Sequence, residues 1–147
     1  EDILDIIATD HAPHAWEEKT GIYDQAKSGG PLVQEALLAL FEFYHSGQMR
    51  LEKIVQKTSH HVAEIYRIPD RGYIREGYFA DLVLVDLQQE STVTAANLHY
   101  ACGWSPFEGR TFRSRIEHTF VNGNLVHSHD KAHEFSAGSR LTFEKNR

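Results

Sequence analysis

Cysteine is almost absent from this chain: Cys102 stands alone among 147 residues. A single thiol excludes an intrachain disulfide framework and fits a reducing, cytoplasmic setting. No residue near Cys102 in sequence supplies a base, so it reads as a small packing residue rather than a nucleophile. Long apolar runs are missing too. None approaches the ~20 residues of a membrane span, and the acidic start Glu1-Asp2 lacks the basic flank of a signal peptide. Positive charge is scarce: 15 Lys and Arg against 21 Asp and Glu give a formal charge of -6. That balance argues against nucleic acid as the main partner, because phosphate contacts need a basic surface. Arg110, Arg113 and Arg115 form a local basic cluster, read as solvated or salt-bridged. An initiating Met is also lacking, and the expectation is a chain that begins partway through a longer protein.

What is present suffices for a core. Hydrophobic residues make up 41% and aromatics 11% of the chain, which argues against wholesale disorder. Residues 3–9 carry apolar side chains on both faces, as a buried strand of a parallel sheet does. Residues 11–30 read as a polar loop with Pro13, Gly21, Gly29 and Gly30; a structureless stretch of ~20 residues is often functional. Pro31 opens a helix in which Val33, Leu37, Leu40, Phe41 and Tyr44 share one face, and Gly47 stops it. A second helix is expected over 50–67, broken near Thr58-Ser59, with Leu51, Ile54, Val55, Val62, Ile65 and Tyr66 on its buried side, and Pro69 ends it.

The character then changes. Residues 72–77 are rich in turn residues, and 80–86 (ADLVLVD) is a strong strand signal. Residues 115–121 and 124–128 flank Asn122-Gly123, the strongest short hairpin signal. Residues 129–147 are polar and are expected to run over the surface, with disorder at the end.

The segment ATDHAPH, residues 8–14, closes the first strand. A carboxylate at the C-terminal end of a parallel strand is where α/β-barrel enzymes keep their chemistry. Asp10 could bind a cation or act as a general base, and His11 or His14 could add ligands or substrate contacts. Equally, Asp10 could cap the following turn beside ordinary loop histidines. The pair His127-x-His129, near Asp130 and His133, has ligand-like spacing but lies beyond the hairpin, far from the first strand. It reads as an exposed strand end. His60-His61, at an expected helix start, reads as capping or surface. His45, His99 and His118 carry no partner signal.

Three segments together carry a resemblance. ATDHAPH followed by EEK resembles the last-strand motif of dihydroorotases in the amidohydrolase superfamily. GYIREGYFADLVLVD (72–86) resembles the start of their C-terminal β-sandwich, and CGWSPFEGRTFRSRIEHTFVNGNLV (102–126) resembles its closing stretch. The ADLVLVD and VNGNLV segments are shared with hydantoinases and allantoinases. The resemblance implies an α/β fold: the C-terminal end of a metal-dependent-hydrolase (β/α)8 (TIM) barrel over 1–70, and part of a small β-sandwich with its tail over 71–147. It implies reversible hydrolysis of dihydroorotate to N-carbamoyl-L-aspartate in pyrimidine biosynthesis, with one or two Zn2+ ions.

By motif match, Asp10 would be both metal ligand and catalytic proton shuttle, and His14 would contact the substrate carboxylate. Gly29 and Gly30 would lay backbone against the substrate, since glycine permits close approach. A flexible helix-entry loop is the other reading of these two glycines. The commoner family pattern has Pro, Phe and Gly near this point, where this chain has Lys27-Ser28-Gly29-Gly30. His11 is expected to make a structural hydrogen bond. The family's His-x-His pair, carboxylated lysine and two further histidines lie upstream of the last strand. The remaining metal ligands are therefore expected outside this chain, and the piece is expected to be inactive alone and to need the rest of the enzyme as a partner. A homodimer stays open. A hydantoinase-like or allantoinase-like amidohydrolase, or a non-catalytic dihydroorotase-like scaffold, are the other readings.

Overall fold

A computed structural model of the chain describes residues 2–128, 131–133 and 138–144. Helices occupy its first half and antiparallel strands its second. The expected strand over 3–9 runs without helix, but it joins no ladder. The physical reason is simple: a parallel strand needs parallel neighbours, and every ladder among the described strands is antiparallel. Ile3 and Leu4 are accordingly 74% and 72% exposed rather than buried. The segment is held at few points. Ile7 N–H donates to the Lys57 carbonyl at 3.1 Å, and Asp2 pairs with Lys53 and with the buried Lys57.

Residues 11–30 are not structureless. They contain a short helix α1 (Trp16–Lys19) and a 3₁₀ turn (Tyr23–Gln25). Lys19 Nζ donates to the Gly29 carbonyl at 2.6 Å and also to that of Lys27, which folds the stretch back on itself. The expected helix after Pro31 starts later. Residues 33–35 form a turn, and α2 spans Ala36–His45. Gly47, at φ +72°, donates its N–H to the Tyr44 carbonyl at 2.9 Å and ends the helix. Leu38 and Phe41 are buried, whereas Val33 stays exposed.

The second helix is interrupted where expected, by a π-turn rather than a gap. α3 (Leu51–Val55) and α4 (His61–Tyr66) flank a π-turn over Gln56–His60. The Thr58 hydroxyl donates to the Ile54 carbonyl at 2.8 Å within it, a local competitor for the helical ladder. Arg67 at φ +52° closes α4, with Ile68 N–H on the Ala63 carbonyl at 2.8 Å. Three expected core residues are exposed: Val55, Ile65 and Tyr66 at 45%, 51% and 53%. They lie on a face that no described element covers. His60 ends the π-turn and His61 is the first residue of α4, within the longer helical stretch. The His60 ring stacks on Tyr73 at 4.1 Å, and His61 Nδ1 lies 2.9 Å from the Asp5 carbonyl oxygen.

The second half is a four-stranded sheet in the order β1-β4-β5-β6, built from β1 (Leu82–Asp86), β4 (Arg115–Val121), β5 (Asn124–Ser128) and β6 (Lys131–Ala132). β2 (Ser91–Thr92) and β3 (Thr111–Phe112) pair separately. The β4–β5 hairpin turns on Asn122 (φ +50°) and Gly123 (φ +81°), as its sequence requires. One core joins the halves. Leu38, Phe41 and Ile54 from the helices pack with Val93 and Phe112, and Phe112 is fully buried. Arg113 fastens the join from outside, with its backbone N–H 2.9 Å from Glu42 Oε1. Burial alone would raise the Glu42 carboxyl, but the Arg113 N–H and guanidinium outweigh it and hold the group below its usual value. Arg115 pairs with Glu117 at 2.7 Å, so two of the three clustered arginines are salt-bridged. The expected disorder at 145–147 lies outside the described residues, as do His129 and Asp130. Among the described residues no helix is long and apolar enough to cross a membrane.

Two outcomes follow from these contacts. Hydrogen bonds from Lys53 and Lys57 hold the Asp2 carboxyl at about 2 against an ordinary 3.8. A lowered carboxyl contributes stability above its unfolded value and loses it as pH falls through the folded value. The tether of residues 2–7 should therefore loosen between these two pH values, read as faster amide exchange at Ile7. A methyl at Gly72 (φ +82°) would lie 2.5 Å from Ala63 Cβ. Gly72→Ala should cost about 1–3 kcal/mol in urea unfolding.

Candidate functional site

The site is built where the first segment ends. Asp10 has φ +49°, a left-handed conformation that costs most L-residues energy and that Asp tolerates better than most. This kink turns the chain so that residues 11–12 run beside residue 30. Ala12 N–H donates to the Gly30 carbonyl at 2.9 Å, and His11 and Gly30 form an isolated parallel bridge. Gly29 makes the approach possible. At φ +81° it would place a Cβ 2.7 Å from Ala12 Cβ, so no other residue fits there without displacement. Gly30 is buried, and the nearest atom to its missing Cβ is Trp104 Cη2 at 3.7 Å. The carbonyls of Gly29 and Gly30 are both engaged within the chain.

His11 makes the structural hydrogen bonds expected of it. Its Nδ1 accepts the N–H groups of Leu32 and Val33 at 3.0 and 3.3 Å. Accepting through Nδ1 puts the proton of the neutral ring on Nε2. His14 Nδ1 lies 3.5 Å from Glu18 Oε2, and Glu18 also accepts from Ala15 N–H at 3.1 Å. An anionic ligand at His14 would therefore compete with Glu18. Asp10 differs from its neighbours: its residue is exposed, and among the described residues no hydrogen bond or ion pair engages its carboxylate. That group is available to accept a proton or to serve as one oxygen donor to a cation.

Sequence reasoning missed the residues that hold this turn from the far side. Tyr100 lies with its ring 5.6 Å from that of His11. Its hydroxyl donates to Glu35 Oε2 at 2.7 Å and accepts Gln34 N–H at 2.7 Å. Burial, and then the hydrogen bond to Glu35, push the phenol well above its usual value. Glu35 is 1% exposed. Ser105 Oγ adds a contact at 3.3 Å to its Oε2, while Oε1 has no partner among the described residues. Trp104 donates its indole N–H to the His14 carbonyl at 2.9 Å and meets Trp16 edge-on at 5.3 Å. The only available signal was the presence of Trp104 and Ser105 in a recognisable string; nothing local reveals what they touch.

Other candidates resolve differently. Cys102 is half-buried and free, with Sγ 3.7 Å from the Trp104 carbonyl oxygen. His127 meets the His99 ring edge-on at 6.1 Å, and Ser128 Oγ lies 2.8 Å from His133 Nε2. His45, without a partner signal in sequence, bonds Ser114 Oγ at 2.8 Å. Among the described residues no three His, Cys, Asp or Glu side chains converge as metal ligands. Asp10 offers one donor, so these residues do not make a metal site by themselves.

Comparison with known proteins identifies what the chain is similar to. The chain is 32% identical to a dihydroorotase of Pyrococcus abyssi over 143 residues, 97% of this chain and 34% of that protein. It is 34% identical to an allantoinase of Desulfitobacterium hafniense over 141 residues, 95% of this chain and 31% of that protein. The crystal structure of a dihydropyrimidinase from Brevibacillus agri superposes with a TM-score of 0.81 at 26% identity, covering 98% of this chain and 33% of that one. This chain thus spans about a third of the length of the proteins it matches. Residues 1–126 match the amidohydrolase family as a whole, and the chain belongs to that family.

Proposed function

We propose that this chain supplies the last barrel strand, the following helices and part of the β-sandwich of a zinc-dependent dihydroorotase, with residues 1–70 completing the barrel and 71–147 the sandwich. One observation carries the reading: Asp10 presents a free, exposed carboxylate on a left-handed turn that its neighbours hold from both sides. A cyclic-amide hydrolase needs a group that takes a proton from attacking water and returns it to the leaving nitrogen. Asp10 Oδ would do both as the ring C–N bond breaks and a carboxylate forms. His14 would orient the substrate carboxylate in place of Glu18. A bound zinc ion would supply an activated water and a polarised carbonyl. Asp10 would be one of its ligands, the others coming from outside this chain.

The exposed apolar surface supports a larger assembly. The chain presents 10424 Å² of accessible surface, against about 7,600 Å² for a compact monomer of this mass. Ile3, Leu4, Val55, Ile65 and Ile74 contribute to it, on faces that the remainder of a barrel would cover. A second reading, a hydantoinase or allantoinase, is favoured by the likeness to the dihydropyrimidinase structure and the allantoinase, and by the altered residues 27–30.

Turnover of dihydroorotate, hydantoin and allantoin should be compared with the protein as its own gene expresses it. Preference for dihydroorotate is expected; preference for either other ring assigns the second reading. Asp10→Asn should lower turnover by about 10²- to 10⁴-fold while leaving the unfolding midpoint nearly unchanged. Near-normal turnover would remove Asp10 from its proposed role.

A further inference from the structure

Residues 98–107 lie far from Asp10 in sequence, and the proposed function gives them no task. They nevertheless touch the Asp10 turn on both flanks. On one side the Tyr100 ring meets the His11 ring. On the other the Trp104 indole N–H donates to the His14 carbonyl. Both contacts come from one short segment, and that segment is fixed independently. Tyr100 O–H and Ser105 Oγ converge on Glu35 Oε2, inside a side chain that solvent does not reach. The Gln34 side chain adds two more ties, to the Asn97 carbonyl at 2.8 Å and from His99 N–H at 2.9 Å.

We infer that Tyr100 and Trp104 are positioning residues that clamp the Asp10 turn, setting the direction of its carboxylate from the β-rich half of the chain. The argument is one of strain against restraint. The left-handed region is disfavoured for L-residues, for Asp less than for most, so contacts on its flanks help to hold the turn at Asp10 in it. Residues 11 and 12 are tied forward to 30–33 by His11 Nδ1 and Ala12 N–H. Those bonds fix the His11 end only. The far end, at His14, is tied locally by its own N–H on the Ala12 carbonyl at 2.8 Å, and from outside the segment by Trp104, whose ring also lies over Gly30 and against Trp16. Trp104 therefore ties together three pieces: the residues after Asp10, helix α1 and Gly30. Reacting groups must sit within a fraction of an ångström of their productive geometry, and a shift of about 1 Å costs about 100-fold in rate. The inference that this restraint serves proton transfer rests on the proposed function; the restraint itself does not.

The test uses Trp104→Phe, which keeps a smaller ring beside Trp16 and removes the indole N–H donor together with the outer ring atoms that lie over Gly30. Amide exchange and turnover are measured together, on the protein as its own gene expresses it. A clamp predicts exchange about tenfold faster at the Ala12, His14, Leu32 and Val33 amides, with the amides around Ile54 unchanged. It also predicts kcat lowered about 10- to 100-fold with KM within about twofold. Unchanged exchange at Ala12 and His14 overturns the proposal. So does acceleration spread equally over the core, which marks a purely structural role, as does a lowered melting temperature with kcat per folded molecule unchanged. Should Trp104→Phe not fold, Tyr100→Phe, which keeps the ring against His11 and frees it from Glu35, carries the same comparison. Absence of turnover in the unsubstituted protein would count against the proposed function alone, and the exchange result would still decide the clamp.

Discussion

Ala12 and Gly29 meet at a distance that admits no side chain at residue 29. Everything at the candidate site depends on that approach. It lets Ala12 N–H reach the Gly30 carbonyl, and it carries His11 to the N–H groups of Leu32 and Val33. With the next residues so committed, Asp10 must take the left-handed turn that leaves its carboxylate in solvent. Neither Lys27-Ser28 nor the glycines need touch a ligand to be required. Lys19 closes the other side of the stretch on the same backbone.

The second dependence is on the join between the halves. Phe112 and Val93 come from the β-rich half, and Leu38, Phe41 and Ile54 from the helices; together they bury each other. Glu35 lies beside this core at the start of α2, where a carboxylate would be expensive without partners. Tyr100 and Ser105 provide them. A buried acid on the helical half and its two donors on the sheet half make the relative placement of the halves specific as well as stable. The Asp10 turn inherits that placement through His11 and His14.

Much of the fold was legible locally. The Asn122-Gly123 hairpin, the strand ending at Asp86, the helix stop at Gly47 and the disturbance at Thr58 follow from short-range rules of turn chemistry and side-chain competition. The differences share one cause. Residues 3–9 look like a buried parallel strand, and Val55, Ile65 and Tyr66 look like core, because apolar periodicity reports that a face prefers cover, not that cover is present. Within this chain no described element reaches those faces. The helix after Pro31 begins late: residues 33–35 form a turn, and the N–H groups of Leu32 and Val33 go to His11.

Sequence by itself determined the chemistry on offer: a carboxylate between apolar residues and two histidines, glycines where backbone must come close, and strings that mark an amidohydrolase. These are properties of residue type and near-neighbour spacing, which the chain carries whatever its fold. Tertiary structure alone decided which of them are free. It committed His11 to backbone, set His14 against Glu18 and the two glycine carbonyls against their own chain, and brought Tyr100 and Trp104 across some ninety residues to hold the turn. Hydrogen bonding and close packing are matters of distance in space, and separation along the chain does not encode that distance.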